Sequence, residues 1–558
     1  MSNELSCLLD PQVGTAGRPT PEPGRFDDPE MDVRESRPSR VMTPPGHAVW
    51  VVRALIVMAL VQLTLFLGWL FQPDHRGDWL PFWLLTAGLG FKVFRWLHTW
   101  YQYWSVQAPP PLRPRRAWTV DVFTTACPGE PHEMIERTLR AMVRMRLPHR
   151  NLLCDEGNDP ELRALCRRLG VTHVTRSDRR DAKAGNINNA LRQSHGEICV
   201  ILDPDHEPCP SMLENVLGYF EDDAVGFVQT VQGYRNQAAS LVARGAAEQT
   251  YQFYGAMMMG MHGYGVVQAI GANCVFRRTA LESIGGHAPG LAEDMHTAMR
   301  LYAKGWRSVY VPEMLTRGLV PSTLSAYYKQ QLKWACGCFD LLLYVYPRLF
   351  RSLTLQQRVH YFCRPLYYAR GLFGLVDLAV PILCLAGGLV AWRVVPLEFA
   401  IWFIPLLLLC ALIHYATQWW LLEPTEEGSH LLGGVLKAGT WWVHLTGIVC
   451  SICRIRVPYI PTPKEDVSEN AWLLSVPNVA AALFSVGAIA YGLSRDWSPH
   501  NLLMAIFAGW NAAALGSVAL ISQKKAGEDL RALASRWTAR SRTRVTALTT
   551  ALDYRSSS

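Results

Sequence analysis

Two acidic residues follow a short apolar segment that has the composition of a buried strand. Ile198 to Leu202 is apolar and largely β-branched, and Asp203, Pro204 and Asp205 come directly after it. Because proline cannot continue a central strand, both carboxylates are expected at the carboxyl end of this strand. Ligands bind at that edge of open α/β sheets, and two neighbouring carboxylates suit Mg²⁺ or Mn²⁺. The alternative interpretation is a solvated Asp-Pro-Asp turn.

Three further polar segments lie on either side of this pair. Residues 181–191 read DAKAGNINNAL, Glu293 and Asp294 precede a predicted amphipathic helix, and residues 330–334 read QQLKW. In this order the segments resemble the family-2 processive glycosyltransferases, which include the cellulose, hyaluronan and chitin synthases. The signature of that family is a lone Asp, then Asp-x-Asp, then (Thr/Glu)-Glu-Asp, then Gln-x-x-Arg-Trp. The resemblance extends over about residues 48 to 525.

The composition is typical of a membrane protein. Hydrophobic residues make up 50% of the 558 residues and charged residues only 18%, which is more apolar than a soluble enzyme requires. The net charge of +8 suits basic flanks on an anionic membrane better than nucleic-acid binding, so no nucleic-acid partner is expected. The 14 cysteines have no metal-ligand spacing and are interpreted as reduced, mostly buried thiols.

Six apolar segments reach the ~20 residues needed to cross a bilayer. They are expected in pairs within residues 46–105, 351–422 and 471–522, the middle pair preceded by an interface helix. Residues 1–45 are expected to be a disordered tail, and residues 523–558 a basic cytosolic tail. The six segments are Val49–Phe71, Trp79–Tyr101, Pro365–Val390, Phe399–Leu422, Ala471–Leu493 and Leu502–Ile521.

Between the second and third spans, residues 106–350 alternate short strands with amphipathic helices. This alternation predicts a parallel sheet with helices on both faces. The fold class is therefore α/β plus transmembrane α-helices, and the resemblance implies a cytosolic GT-A (Rossmann-like) domain inserted between membrane helices. Arg113, Arg115 and Arg116 beside the second span favour the cytoplasmic side of a multi-pass bacterial inner-membrane protein.

The resemblance implies roles for residues on the donor side. Thr125, Glu130, Asp155, Lys183 and Lys333 would contact UDP, with Lys333 standing where the family has Arg. Asp155 could instead cap a turn, and an isolated Lys183 would suit a surface loop. Arg binds an oxyanion through two parallel hydrogen bonds and Lys does not, so the change at position 333 is not neutral.

On the acceptor side, the resemblance implies that Asp294 is the catalytic base. Glu293, Gln330 and Trp334 would contact the acceptor sugar. Asp294 could alternatively be an acidic residue that caps the following helix, and Trp334 could be an ordinary interfacial tryptophan.

The implied activity is processive transfer of glucose from UDP-glucose to a β-glucan, by an inverting, metal-dependent mechanism. The product, cellulose or a mixed or β-1,3-linked relative, would be extruded across the inner membrane, and accessory periplasmic export subunits could take part. The implied partners are thus a UDP-sugar, the growing polysaccharide and the bilayer. Two alternatives are a non-processive transferase acting on a lipid carrier and a nucleotide-binding transporter or receptor, which would need no base at Asp294.

Residues 423–470 are predicted to form a cytosolic interfacial segment. Within it, residues 459–464 read YIPTPK and resemble the gating loop of cellulose synthases, Phe-x-Val-Thr-x-Lys. By that resemblance, Thr462 and Lys464 would close over bound UDP and exclude water. Lys464 could otherwise belong to a basic membrane-surface patch.

Replacing Thr462 and Lys464 together by alanine is expected to reduce polymer synthesis strongly while membrane insertion and folding persist. The reason is that a hydroxyl and an ammonium would be lost from the diphosphate. Hydrogen exchange at residues 454–470 should slow when UDP and a divalent metal are added. Normal synthesis by the double variant, with no protection by UDP, would contradict the gating role.

Overall fold

The region expected at residues 106–350 is built on β-strands. The computed structural model describes residues 39–41, 43–455, 457–458 and 472–523. Its strands are β1 (Ser39–Arg40), β2 (Val120–Ala126), β3 (Arg150–Asp155), β4 (Thr172–Thr175), β5 (Ile198–Leu202), β6 (Glu207–Pro208), β7 (Val225–Thr230), β8 (Gly233–Tyr234), β9 (Cys274–Arg277), β10 (Arg307–Val311), β11 (Glu313–Met314) and β12 (Thr316–Gly318).

Seven strands form one sheet in the order β10-β7-β9-β5-β2-β3-β4. Every residue of β2, β5 and β7 is buried, as expected for strands covered on both faces. The prediction of an all-parallel sheet is wrong at β9, which runs antiparallel to β5 and β7. The reason is that, just before β9, the chain has returned to the carboxyl edge, where Thr230 N donates to Asn273 O (3.3 Å), so β9 starts at that edge and runs in the opposite direction.

The helices cover both faces of this sheet and form the membrane region. They are α1 (Ala48–Leu70), α2 (Trp79–Trp104), α3 (His132–Val143), α4 (Pro160–Leu169), α5 (Ala182–Leu191), α6 (Met212–Val216), α7 (Leu241–Gln252), α8 (Met258–Gly263), α9 (Arg278–Ser283), α10 (Glu293–Ala303), α11 (Leu324–Asp340), α12 (Tyr346–Leu349), α13 (Leu355–Cys363), α14 (Arg370–Gly387), α15 (Pro396–Ala416), α16 (Leu431–Gly439), α17 (Trp441–Ile452), α18 (Trp472–Arg495) and α19 (Pro499–Ile521).

Five helical segments of the described chain are long and apolar enough to cross a membrane, against six predicted. They are Ala48–Leu70, Leu355–Gly387, Pro396–Trp420, Trp472–Arg495 and Pro499–Ile521. The predicted second span forms α2, a helix of 26 residues, but Lys92 and Arg95 make it too polar for this group. The bent pair α16 and α17, which meet at 48°, could form a further span. Much of the predicted interfacial segment is therefore apolar helix.

The end of the N-terminal tail is ordered, contrary to the prediction for residues 1–45. Ser39 and Arg40 pair antiparallel with Met314 and Glu313. Arg40 Nε lies 3.4 Å from a carboxylate oxygen of Glu313, and Ser39 Oγ donates to Glu423 (2.7 Å). These polar contacts order a segment that has no apolar run of its own.

Candidate active site

The carboxyl edge of the sheet brings Lys183 and Asp203 together with the Glu293 motif. Lys183 Nζ donates to Asp203 Oδ1 and to the Gly271 carbonyl (2.7 Å), and it lies 3.9 Å from Glu293 Oε1. Lys183 is buried, and burial alone would lower its pKa; the charges of Asp203 and Glu293 outweigh burial and raise it. The ammonium is therefore a fixed positive charge between two of the predicted motifs.

Helix α5 holds Lys183 in place. The helix begins at Ala182, so Lys183 lies in its first turn and not in the surface loop that was the alternative interpretation. Three asparagine side chains then tie the helix to its surroundings. Asn186 donates to Cys154 O (2.7 Å), Asn188 to His287 O (2.9 Å) and Asn189 to Thr175 O (3.1 Å).

Asp203 and Asp205 follow β5, and His206 joins them in space. One ligand atom from each of the three lies within 4.8 Å of the others. Leu319 N donates to Asp205 Oδ2 (2.8 Å). His206 Nδ1 lies 3.4 Å from Asp205 Oδ1, and its Nε2 is buried without a hydrogen-bond partner among the described residues. Two carboxylates and an imidazole are a suitable donor set for Mn²⁺ or Mg²⁺. The sequence analysis did not assign His206 to this site; its adjacency to Asp205 was the available signal.

Glu293 and Asp294 form the first turn of α10. Asp294 Oδ1 accepts a hydrogen bond from the Met295 backbone N (2.7 Å) within that turn, but the residue before the helix is Ala292, so Asp294 is not the cap that the alternative interpretation proposed. Burial and the neighbouring Glu293 carboxylate raise the pKa of Asp294 to about 7. Burial likewise raises the pKa of Glu293. A carboxylate with a pKa near neutral pH can accept a proton efficiently there.

Gly271 lies directly against the predicted base. Its φ is +78°, and a Cβ at this position would lie 3.2 Å from Asp294 Oδ2. A side chain would therefore need both an unfavourable backbone conformation and a shift of the carboxylate. The Gly271 carbonyl also accepts a hydrogen bond from Lys183. Gly271 therefore links the Lys183 ammonium to the carboxylate of Asp294.

Gln330, Lys333 and Trp334 lie on one face of α11, at helical spacings of three and four residues. Gly337 continues this face, and a Cβ there would lie only 2.8 Å from Ala292 N. The close approach places the start of α10 beside α11, and the charge of Lys333 lowers the pKa of Glu293 against the effect of burial. Trp334 is 37% exposed, so part of its ring is open to a ligand.

The carboxylate of Asp155 is engaged by the protein. Oδ1 accepts from Gly157 N (2.8 Å), Oδ2 accepts from Asp159 N (2.6 Å), and His173 Nε2 lies 2.9 Å from Oδ2. This geometry matches the turn-capping alternative. Contact with a nucleobase stays a prediction for Asp155.

Thr125 and Glu130 lie at the end of β2, beside Asp155. The register pairs Ala126 with Asp155, so Thr125 reaches the same edge of the sheet. Glu130 accepts from Cys127 N (2.8 Å) and thereby closes the turn that follows β2. Thr462 and Lys464 lie outside the described residues, so their predicted role has no structural test.

Residues 198–422 match the family model described as glycosyl transferase family group 2. This range begins at β5 and includes Asp203, Asp205, Glu293, Asp294 and the Lys333-Trp334 pair. The chain carries a family-2 glycosyltransferase domain. The predicted family and fold class, an α/β glycosyltransferase domain combined with membrane helices, are confirmed.

Curated relatives of the chain are cellulose synthases. The chain is 30% identical to the "Cellulose synthase catalytic subunit [UDP-forming]" of Xanthomonas axonopodis pv. citri (strain 306), over 58% of this chain and 46% of the relative. It is 25% identical to "Cellulose synthase 1" of Komagataeibacter xylinus, over 78% of this chain and 29% of the relative. The chain therefore spans about half of these relatives or less.

Among solved structures, a mannosyltransferase from Pyrobaculum calidifontis, in complex with GDP-Man and Mn2+, is similar. The identity is 19%, the match covers 67% of this chain and 99% of that one, and the TM-score is 0.46, which is too low to assign function.

Replacing Glu293 by Gln should move the acidic limb of the pH–rate profile of this glycosyltransferase domain to lower pH. A base with a pKa of about 7 is lost as the pH falls through that value, and the Glu293 charge is one cause of the raised pKa. Initial rates of UDP release between pH 5 and 9 would measure the shift. Asp222→Asn, at an exposed carboxylate before β7 on the opposite edge of the sheet, is the control and should leave the profile unchanged. An unmoved limb in Glu293→Gln would contradict the electrostatic coupling.

Proposed function

We propose that this protein is a processive glycosyltransferase that polymerises UDP-glucose into a β-glucan, cellulose or a mixed or β-1,3-linked relative, and exports it across the bacterial inner membrane. The observation that carries the proposal is the position of Asp294. Its carboxylate has a pKa raised to about 7 and lies against Gly271, which in turn contacts the Lys183 ammonium. A module that only bound a nucleotide would have no use for such a base.

Asp294 would remove the proton from an acceptor hydroxyl. The hydroxyl oxygen then forms a bond to the anomeric carbon of the donor sugar while the bond from that carbon to UDP breaks. One direct displacement converts the α-linked donor into a β-linked product, so a single carboxylate is sufficient. Burial and the adjacent Glu293 carboxylate together raise the pKa of Asp294 into the range in which it can accept a proton near neutral pH.

Asp203 and Asp205 would hold Mg²⁺ or Mn²⁺, with His206 close enough to join them. The ion would neutralise charge on the departing diphosphate. Lys183, fixed by Asp203 and the Gly271 carbonyl, would offset the same charge from the protein side. Lys333, on α11, would also offset the negative charge of the diphosphate.

The acceptor would lie between α11 and α10. Trp334 offers a partly exposed ring to a sugar face, and Gln330 and Glu293 offer polar groups to its hydroxyls. Helix α11 also packs on the membrane region, since a Cβ at Gly447 of α17 would lie 2.7 Å from the Ala335 side chain. A growing chain leaving Trp334 would therefore enter the membrane helices directly. The basic residues at 113–116 favour a cytoplasmic domain.

Asp294→Asn should reduce polymer synthesis by about 10²–10⁴-fold, the usual contribution of a positioned general base. The amide can still accept the Met295 hydrogen bond, so UDP affinity and folding should persist. Incorporation of radiolabelled glucose by purified protein in lipid nanodiscs measures the effect, with Asp222→Asn as the matched control. Synthesis near the wild-type rate would remove Asp294 from the mechanism, and label recovered only in the lipid extract would favour the lipid-carrier alternative.

Removal of divalent metal by EDTA should stop turnover, and Mg²⁺ or Mn²⁺ should restore it. Asp205→Asn should raise the metal concentration required for half-maximal rate, because an amide oxygen binds a divalent cation more weakly than a carboxylate. The amide still accepts from Leu319 N, so the fold should survive. Turnover that is insensitive to EDTA would mean that Asp203 and Asp205 form a turn and not a metal site.

A further inference from the structure

Four cationic side chains lie together where the membrane helices meet the glycosyltransferase domain. They are Arg95 on α2, Arg364 between α13 and α14, Arg370 at the start of α14, and Lys437 on α16, here called the cation cluster. The guanidinium carbons of Arg95 and Arg370 lie 5.2 and 4.0 Å from the centre of the Tyr367 ring. Arg364 Nε donates to Gln268 Oε1 (2.9 Å), and its guanidinium lies 4.7 Å from the centre of the Phe253 ring.

The cation cluster has no acidic counter-charge within the described part of the chain. None of its four members makes an ion pair there; the charges that most affect Arg95 are those of Arg370 and Arg364, and Lys437 is repelled by Arg370 and Arg95. The surroundings of the neighbouring Lys92 differ. Lys92 lies one turn from Arg95 on α2 and pairs with Asp377 of α14 at 2.5 Å. The lack of acid is therefore local to the cation cluster.

Several hydrogen-bond donors in and beside the cation cluster lack protein partners. Arg95 Nη1 and Arg370 Nε are buried and make no hydrogen bond to any described residue. His98 and His444 are 5% and 1% exposed, and each has one buried ring nitrogen without a hydrogen-bond partner among the described residues. A buried charge without a partner is strongly unfavourable, so an arrangement of like charges without partners is unfavourable by itself. Ionisable groups within a membrane region mark functional sites, among them the paths of substrates.

The cation cluster begins beside the predicted acceptor site. Arg364 contacts Gln268, three residues before Gly271, which touches Asp294. Cys338, one turn beyond Trp334 on α11, is close enough to feel the charges of both Arg364 and Asp294. The path from the base into the membrane helices therefore passes from an acidic site to a cationic one.

We propose that the cation cluster binds carboxylate groups of an acidic glycan, so that the polymer handled by this protein contains uronate residues. Guanidinium groups bind carboxylates through two parallel hydrogen bonds, and a neutral glucan would leave four like charges without compensation. A glycan fits better than a lipid phosphate because the cation cluster lies among α2, α14 and α16, beside the α11 face that carries Trp334. The inference rests on the proposed polymerising function and concerns the charge of its product.

The chemistry at Asp294 stays the same for a uronate donor. With UDP-glucuronate, the acceptor oxygen bonds to the anomeric carbon, UDP leaves, and the proton passes to Asp294. The carboxylate at C6 takes no part in the displacement. UDP-glucose can remain one of two donors, with the uronate supplying the negative charge of the product.

The test uses the purified full chain in nanodiscs, supplied with labelled UDP-glucose, labelled UDP-glucuronate, or both. Wild type is expected to build glucuronate into polymer. The double variant Arg370→Gln/Lys437→Gln should lower that incorporation by roughly 30-fold or more, as expected when one side of a buried charge pair is removed. Incorporation of glucose alone should change little. Arg53→Gln, at a half-buried arginine of α1 that donates to Trp104 O, is the matched control.

Arg370→Lys keeps the positive charge and should retain much of the glucuronate incorporation. It therefore distinguishes a loss of charge from misfolding as the cause of the effect in the double variant. A wild type that makes only neutral polymer, at a rate unchanged in the double variant, would overturn the inference while leaving the proposed function intact. Glucose label in the lipid extract that is lost in the double variant would assign the cation cluster to a lipid phosphate and also overturn it. Failure of UDP release with every donor would instead contradict the proposed function.

Discussion

The buried ammonium of Lys183 is the interaction on which the rest of the site depends. A lone cation at that position would be strongly unfavourable, and it is compensated only because Asp203 and Glu293 face it from different elements. Strand β5, helix α5 and helix α10 must therefore all end or begin at one point. The Gly271 carbonyl completes the arrangement and leaves no room for a side chain beside Asp294. A change at any of these residues would alter the electrostatics of the others.

The sequence predicted the parts of the fold that local patterns determine. The apolar run Ile198 to Leu202 was placed at the observed bounds of β5, and Asp203 and Asp205 were placed at its carboxyl end. Close approaches between distant segments were not predictable, because no local pattern reports them. The contact of Gly337 with Ala292, which brings α11 beside α10, is one example. The direction of β9 is another, since a short apolar strand reads the same in either orientation.

Helix starts and side-chain partners were also beyond local patterns. Asp181, with a φ of +61°, directly precedes α5. The helix therefore begins at Ala182 and includes Lys183 in its first turn. Asp155 lies at the end of a strand, where a ligand contact was predicted, yet its carboxylate is engaged by two backbone amides and His173. Whether a strand-end carboxylate caps a turn or faces a ligand depends on the following loop, which has no periodicity to interpret.

In the membrane region, the side chains that lower the hydropathy of a helix can also be its functional groups. Helix α2 is long enough to cross a bilayer, but Lys92, Arg95 and His98 interrupt its apolar character. Lys92 is matched by Asp377 on α14, whereas Arg95 makes no ion pair within the described residues and lies over the Tyr367 ring, near Arg370 and Arg364. A charge that is matched within the bundle stabilises helix packing, and a charge that is not matched needs a partner from outside the bundle. The same side chains that make α2 a poor apolar span therefore give it a role in binding, and the contact of Arg364 with Gln268 connects that role to the loop that holds the base.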